Sequence, residues 1–170
     1  MNLWNFGRKV RKFQRLTFPD LDLFVAPELE NATDLQNLVN QITEVQKELQ
    51  NRFGFPLKHH LTVFIFPTMS EISSIFRGIS ASVAMPYGDG VAFAWEVLKT
   101  TKVLQEPLRH ELAHLFAYRL GKGQPVFKRE GLSEWLQETE EGLPIDLQAL
   151  SEILRCERLL EHLKHSLDFV

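Results

Sequence analysis

The sequence predicts an α+β fold in a single domain. β-Branched and aromatic segments of strand length are concentrated in the first hundred residues, and long helical patterns dominate the rest. The 170 residues suit one core, and no Gly/Ser-rich or Pro-rich linker divides them, so we expect one domain over residues 1–170. The hydrophobic fraction of 44% and charged fraction of 24% are those of soluble globular chains, which excludes global disorder.

The first half is predicted to alternate strands and helices, in the order strand Leu21–Val25, helix 33–52, strand Leu61–Phe66 and short helix 70–78. The first helix has apolar residues at a period of 3.6, and Gly54 ends it. The second strand is β-branched and aromatic throughout, which is typical of a buried strand. Ser70 is the predicted N-cap of the short helix.

The second half begins with a turn at residues 87–90, Tyr-Gly-Asp-Gly, which leads into a strand at 91–95. Large residues fall on one face of this strand and alanines on the other. Three helices are predicted to follow, at 102–120, 126–140 and 146–167. Pro107 is compatible with the first of them only near its start or at a kink.

Charge and cysteine content exclude some partners. The net charge of −3 argues against nucleic acid, because phosphate binding needs a basic surface. Residues 1–16 are basic and lack the apolar core of a secretory signal, so we expect a solvated first strand or a flexible end. Contact of this segment with an anionic membrane is the alternative. Cys156 is the only cysteine, which excludes an intrachain disulfide and a Cys-based zinc site, and fits a cytoplasmic protein.

The most informative segment is His110-Glu111-Leu112-Ala113-His114, inside the helix predicted at 102–120. Two His four residues apart share one helix face, so their imidazoles can bind one Zn²⁺. Glu111 would lie beside the ion, where a carboxylate can take a proton from a zinc-activated water as it attacks a carbonyl. The alternative is a chance match, which would more often fall in a loop than in a strongly helical window.

A catalytic zinc needs a third protein ligand and one open position. Glu130 follows His114 with fifteen residues between them, enough for the first helix to end at Gly121 and a second to return antiparallel. Glu134 lies one turn beyond Glu130 and is placed to accept the outer N–H of a zinc-bound His, most plausibly His110.

Two alternatives compete with this ligand set. Glu130 and Glu134 can belong to a solvated acidic helix face, which Glu138 and Glu141 would continue. A His far down the chain, His162 or His165, can instead supply the last zinc ligand.

His-Glu-Leu-Ala-His followed by Glu-Gly-Leu-Ser-Glu-Trp resembles the gluzincin zinc metallopeptidases, specifically the minimal peptidase MA-like family, over about residues 61–137. The resemblance implies a small mixed sheet with an edge strand above an HExxH helix, then a glutamate helix and a C-terminal helix. It also implies that His110, His114 and Glu130 bind zinc and that Glu111 is the general base.

By the same resemblance, residues 91–95 form the antiparallel edge strand above the site. An extended peptide would pair with it, nearest Ala92, Phe93 and Ala94. The alternative is an ordinary half-buried edge strand. The chain departs from the family in one respect, because no Tyr follows Tyr118 to stabilise an oxyanion, and the other candidates are His162, His165, Arg155 and Arg158.

The sequence thus predicts a zinc-dependent metallopeptidase that hydrolyses peptide or protein substrates. Because the oxyanion donor is not evident, the alternative is a catalytically weak or inactive zinc-binding module that binds extended peptides on the same scaffold.

Overall fold

A computed structural model describes residues 3–29, 34–57, 59–76, 82–85, 89–99 and 105–120. The helices predicted at 126–140 and 146–167 lie outside the described residues. The elements along the chain are α1 (Leu3–Val10), β1 (Gln14–Thr17), β2 (Leu21–Val25), a 3₁₀ turn (Pro27–Leu29), α2 (Leu35–Phe53), β3 (Leu61–Phe66), α3 (Met69–Ile75), β4 (Ser82–Met85), β5 (Gly90–Ala94), α4 (Trp95–Leu98) and α5 (Gln105–Leu120).

The strands form one mixed sheet in the order β1-β2-β3-β5-β4. The three inner strands, β2, β3 and β5, are parallel to their inner neighbours, whereas β1 and β4 pair antiparallel at the two ends. Helices pack on both faces of this sheet, so the predicted α+β class is confirmed.

Helices α2 and α5 pack together on one face of the sheet. Alternate residues of the strands, such as Val63 and Phe93, point to this side and are buried with the apolar stripes of both helices. The rings of Phe53 on α2 and Phe116 on α5 stack with centroids 5.0 Å apart and planes 10° apart. This layer is the larger part of the core, and it fixes α5 against the sheet.

Helices α1 and α3 cover the other face. Phe6 of α1 makes edge contacts with Phe64 and Phe76, and Phe13 makes one with Phe66. The described part of the N-terminal segment is thus a packed helix up to Val10, because Phe6, Val10 and Phe13 contact this face of the sheet. The expected solvated first strand is present as β1, in which three of four residues are exposed. Among the described helices, none combines the length and apolar character needed to cross a bilayer.

Local signals account for the element ends. Helix α2 ends at Gly54, whose φ of 71° suits the left-handed cap and whose N–H donates to the Gln50 carbonyl at 2.9 Å. Helix α3 is capped by Thr68, which accepts from the Glu71 N–H, rather than by the predicted Ser70. Pro107 lies in the first turn of α5, where a missing N–H costs least.

A buried carboxylate joins the first two strands. Asp22 on β2 accepts from the Arg15 guanidinium at 2.6 Å and from the Thr17 hydroxyl at 2.8 Å, both on β1. The hydrogen bond from Arg15 is the main reason that the pKa of Asp22 lies below its usual value, and the same contact raises the pKa of Arg15. The ion pair therefore adds to the strand pairing that sets the register of the outermost strand.

The strand predicted at 91–95 is present as β5, but its predicted position at the edge of the sheet is wrong. It lies between β3 and β4 and bonds to both. All five of its residues are buried, whereas the four residues of β4 are half-buried. A strand that is apolar on both faces belongs inside a sheet, and the half-buried β4 lies at the end of the described sheet instead.

Candidate metal centre

The HExxH segment lies in the middle of α5, as predicted. The opposite side of this helix is apolar and buried against α2 and the sheet, through Leu108, Leu112, Leu115 and Phe116. Because the packing stripe determines which way the helix faces, His110 and His114 are left half-buried, one turn apart, on a side that is not filled by the core.

The two imidazoles converge. Their Nε2 atoms are 3.1 Å apart, and the rings are almost perpendicular, with centroids 4.7 Å apart. Two nitrogen ligands on one tetrahedral Zn²⁺ would be about 3.3 Å apart, given bonds of about 2.0–2.1 Å. The observed spacing is also that of an N–H···N hydrogen bond, in which one Nε2 donates to the other. The pair therefore fits a shared zinc ion with little movement of either ring.

Glu111 lies between the two His in sequence and is buried, with 6% of its surface exposed. Its Oε1 atom accepts a hydrogen bond of 2.6 Å from the Ser82 hydroxyl on β4. Ser82 is paired with Phe93 in the sheet, so the serine is held by the ladder between β4 and β5. The contact fixes the orientation of the carboxylate next to the His pair.

Among the described residues, Ser82 contacts this site directly but is not predicted from the sequence. The contact joins residues 29 positions apart, and β4 is only four residues long, so no local pattern indicates it. Successive residues of β4 point to opposite sides of the sheet. Ala84 packs in the layer that contains α5, whereas Val83 and Met85 pack in the other layer. Because Ser82 lies two residues before Ala84, its side chain points towards α5 as well.

An ion pair beside the site, between a buried arginine and a half-buried glutamate, joins α5 to α2. The Arg109 guanidinium donates to both carboxylate oxygens of Glu48, through Nε at 3.2 Å to each and Nη2 at 2.9 Å to Oε2. Arg109 is 7% exposed, and Arg52 lies 3.6 Å from the same carboxylate. Since Arg109 directly precedes His110, this contact fixes the rotation of the helix at the first His.

The predicted peptide-binding positions do not suit that role. Ala92, Phe93 and Ala94 are at most 1% exposed, and the main chain of β5 is already paired on both sides. An extended peptide cannot add to a strand that has no open edge, so the prediction is wrong for these three residues. The strand beside the site with an open side in the described sheet is β4.

Several predicted site residues lie outside the described residues, namely Glu130, Glu134, His162, His165, Arg155 and Arg158. The third zinc ligand, the partner of His110 and the oxyanion donor are therefore still predictions. Within the part of the chain that the structure describes, no group of three or more His, Cys, Asp or Glu side chains is placed to hold a metal ion. Two imidazoles from α5 are brought together, and a zinc site at this position would need at least one further ligand from outside the described residues.

A scan against protein-family models finds no match for this chain, and a search of curated proteins finds no similar sequence.

Proposed function

We propose that the chain is a zinc-dependent metallopeptidase in which His110, His114 and Glu130 hold the ion and Glu111 is the general base. The observation that supports this best is the convergence of two imidazole nitrogens at 3.1 Å on a helix in which Glu111, the residue after the first His, is buried. A buried carboxylate is costly for stability, and buried carboxylates in the same segment as two converging histidines are typical of a catalytic site.

The metal ion and the two side chains have separate roles in the proposed reaction. Bound Zn²⁺ supplies Lewis acidity, which polarises a carbonyl and makes a water more acidic. Glu111 takes the proton of the attacking water and can deliver it to the leaving amine. Ser82 donates to one oxygen of Glu111 and so keeps the carboxylate in the orientation that proton transfer requires. The proposed substrate is a peptide or protein, and the proposed location is the cytoplasm, in keeping with the single cysteine.

The decisive experiment replaces Glu111 with Gln. The amide keeps the shape and can still accept from Ser82, but it cannot take a proton, so hydrolysis should fall by about 10²–10⁴-fold. Zinc content, measured by elemental analysis, should stay at the wild-type level. The matched control is Glu106→Gln, which changes an exposed carboxylate on the same helix and should leave both readings unchanged. Full activity of Glu111→Gln would exclude Glu111 as the base.

The ligand set has its own test. His114→Ala should lose zinc, and Glu130→Ala should weaken zinc binding by a comparable amount if Glu130 is the third ligand. Zinc content that is unchanged in Glu130→Ala would instead favour His162 or His165, which the corresponding alanine variants would identify.

The second candidate function is a zinc-binding module that binds extended peptides without cleaving them. It is favoured by the positions of the two tyrosines, Tyr87 and Tyr118, because residues 130–170 contain no Tyr that could stabilise an oxyanion. Zinc-loaded protein that binds unstructured peptides but leaves them intact over long incubation would support this function over hydrolysis.

A further inference from the structure

A cavity of about 610 Å³ lies on the side of the sheet opposite to α5. Its walls come from the end of α1 and the turn after it, from the 3₁₀ turn and from α3. We name it the basic cavity, after the three cations that line it, Arg8, Lys9 and Lys12. The volume is within the range of about 300–1,000 Å³ that is usual for small-molecule sites.

The charge of the basic cavity contrasts with that of the chain. Its lining carries three cations and two carboxylates, Glu28 and Glu71, which leaves one net positive charge. Lys9 and Glu71 form an ion pair of 2.5 Å across the wall. The whole chain has a net charge of −3, yet its first fifteen residues contain five cations and no acidic residue. A single anionic group would therefore neutralise this cavity, and the local potential would attract it.

The rest of the lining is apolar. Phe13, Pro27 and Ile75 contribute to the walls, and Ile75 belongs to the buried core of this face. A ligand that used both kinds of surface would have an apolar body beside one charged group.

A membrane surface suits this region less well than a small molecule. The apolar side chains Phe6 and Val10 of α1 are packed against the sheet, so the helix has no described apolar face to insert between lipids. The basic cavity is a half-open recess, and its three cations lie on one wall, at the end of α1 and in the turn after it.

We propose that the basic cavity binds a small organic monoanion, an apolar body that carries one carboxylate. This site is separate from the HExxH helix and does not depend on the proposed peptidase activity. Lys12, which is exposed at the cavity wall, is the cation that contributes most directly to recognition of the carboxylate.

The test is calorimetric titration of the full chain with N-acetyl-L-phenylalanine and with N-acetyl-L-phenylalaninamide, which differ only in the carboxylate. The acid should bind at least about tenfold more tightly than the amide, and its affinity should fall with added salt. Lys12→Gln should weaken binding of the acid by roughly threefold to tenfold. Arg11→Gln removes the same charge from the neighbouring residue, which is exposed and does not line the cavity, and should leave the affinity unchanged.

Each other result overturns the proposal. Equal weakening by both variants would indicate diffuse attraction to a basic segment. Binding that neither variant changes would place the carboxylate elsewhere, including at zinc on the opposite side of the sheet. Equal affinity for the acid and the amide, no binding of either, or binding only to vesicles that contain phosphatidylserine would each exclude a cavity for a soluble monoanion.

Discussion

The helices on the two faces of the sheet differ in the kinds of side chain that they bury. On the side of α2 and α5, the helices bring charged side chains into the interior, where Arg109 is bonded to Glu48 and Glu111 to Ser82. On the side of α1 and α3, the described helices bury no charged residue, and Phe6, Phe13 and their partners make a layer of aromatic contacts. Buried charge is costly unless paired, so the helices of the first face give up stability for buried polar groups, whereas the described charged residues of α1 and α3 are exposed or half-buried.

The largest effects are expected from truncating one phenylalanine on each face. Phe116→Ala and Phe66→Ala each remove a fully buried ring and should lower the free energy of unfolding by about 3–5 kcal/mol, measured by urea denaturation of metal-free protein. Only Phe116→Ala should also weaken zinc binding, because Phe116 lies on the helix that carries both histidines. Equal loss of zinc affinity in both variants would show that the two faces are not independent.

The ion pair of buried Arg109 with half-buried Glu48 gives the next largest effect. Arg109→Met leaves Glu48 without its bidentate partner and should destabilise the fold by about 2 kcal/mol, measured by the same denaturation. Arg15→Met is the comparison, because both carboxylates are largely buried but the Arg15 side chain is 58% exposed and that of Arg109 only 8%. A pair with an exposed arginine is expected to contribute less, about 0–1 kcal/mol. A similar loss in both variants would contradict the view that burial distinguishes the pair on α5.

A smaller effect is expected from Ser82→Ala. Loss of one hydrogen bond should cost about 1 kcal/mol of stability. If the proposed function is correct, kcat should also fall about tenfold with KM and zinc content unchanged, because Glu111 loses its orientation. Ser82→Thr should restore kcat. Ser74→Ala removes an exposed hydroxyl on the other face and is the matched control; a drop in kcat there would argue against a specific role for Ser82.

The smallest effect concerns pH and the outer strand. Because the pKa of Asp22 is lowered in the folded protein, chiefly by Arg15, its stabilising contribution is complete above the unfolded value of about 3.9 and is lost as pH falls through the folded value. The wild type should therefore be more stable than Asp22→Asn at pH 6, and the difference should shrink towards pH 3. Denaturation at both pH values measures it, and a difference that grows on acidification would contradict the assignment.

The elements predicted correctly are those that depend on the type and spacing of neighbouring residues. The apolar spacing of α2, the β-branched run of β3 and the HExxH segment of α5 each depend on a few neighbouring residues, and all three are helices or strands as predicted. Helix α1 is not predicted, although its apolar residues Phe6 and Val10 pack against the sheet. Cations alternate with these residues in the sequence, and such a mixture is also typical of a solvated chain terminus.

The order of strands could not be predicted in the same way. Pairing joins segments distant in sequence, and the family resemblance predicts an edge position for β5, although its unbroken apolar run is typical of an inner strand. The hydrogen bond from Ser82 to Glu111 depends on the same strand order, because it requires β4 to lie beside α5.

One feature of α5 has a mechanical consequence. Consecutive helical residues point about 100° apart, so Arg109 and Glu111 reach out on either side of His110. The first holds α2 and the second holds β4. The helix is thus tethered in both rotational directions and cannot turn about its axis without breaking one tether. The orientation of His110 is therefore set before any metal ion binds. Because this ligand is already ordered, little conformational entropy would be lost on binding.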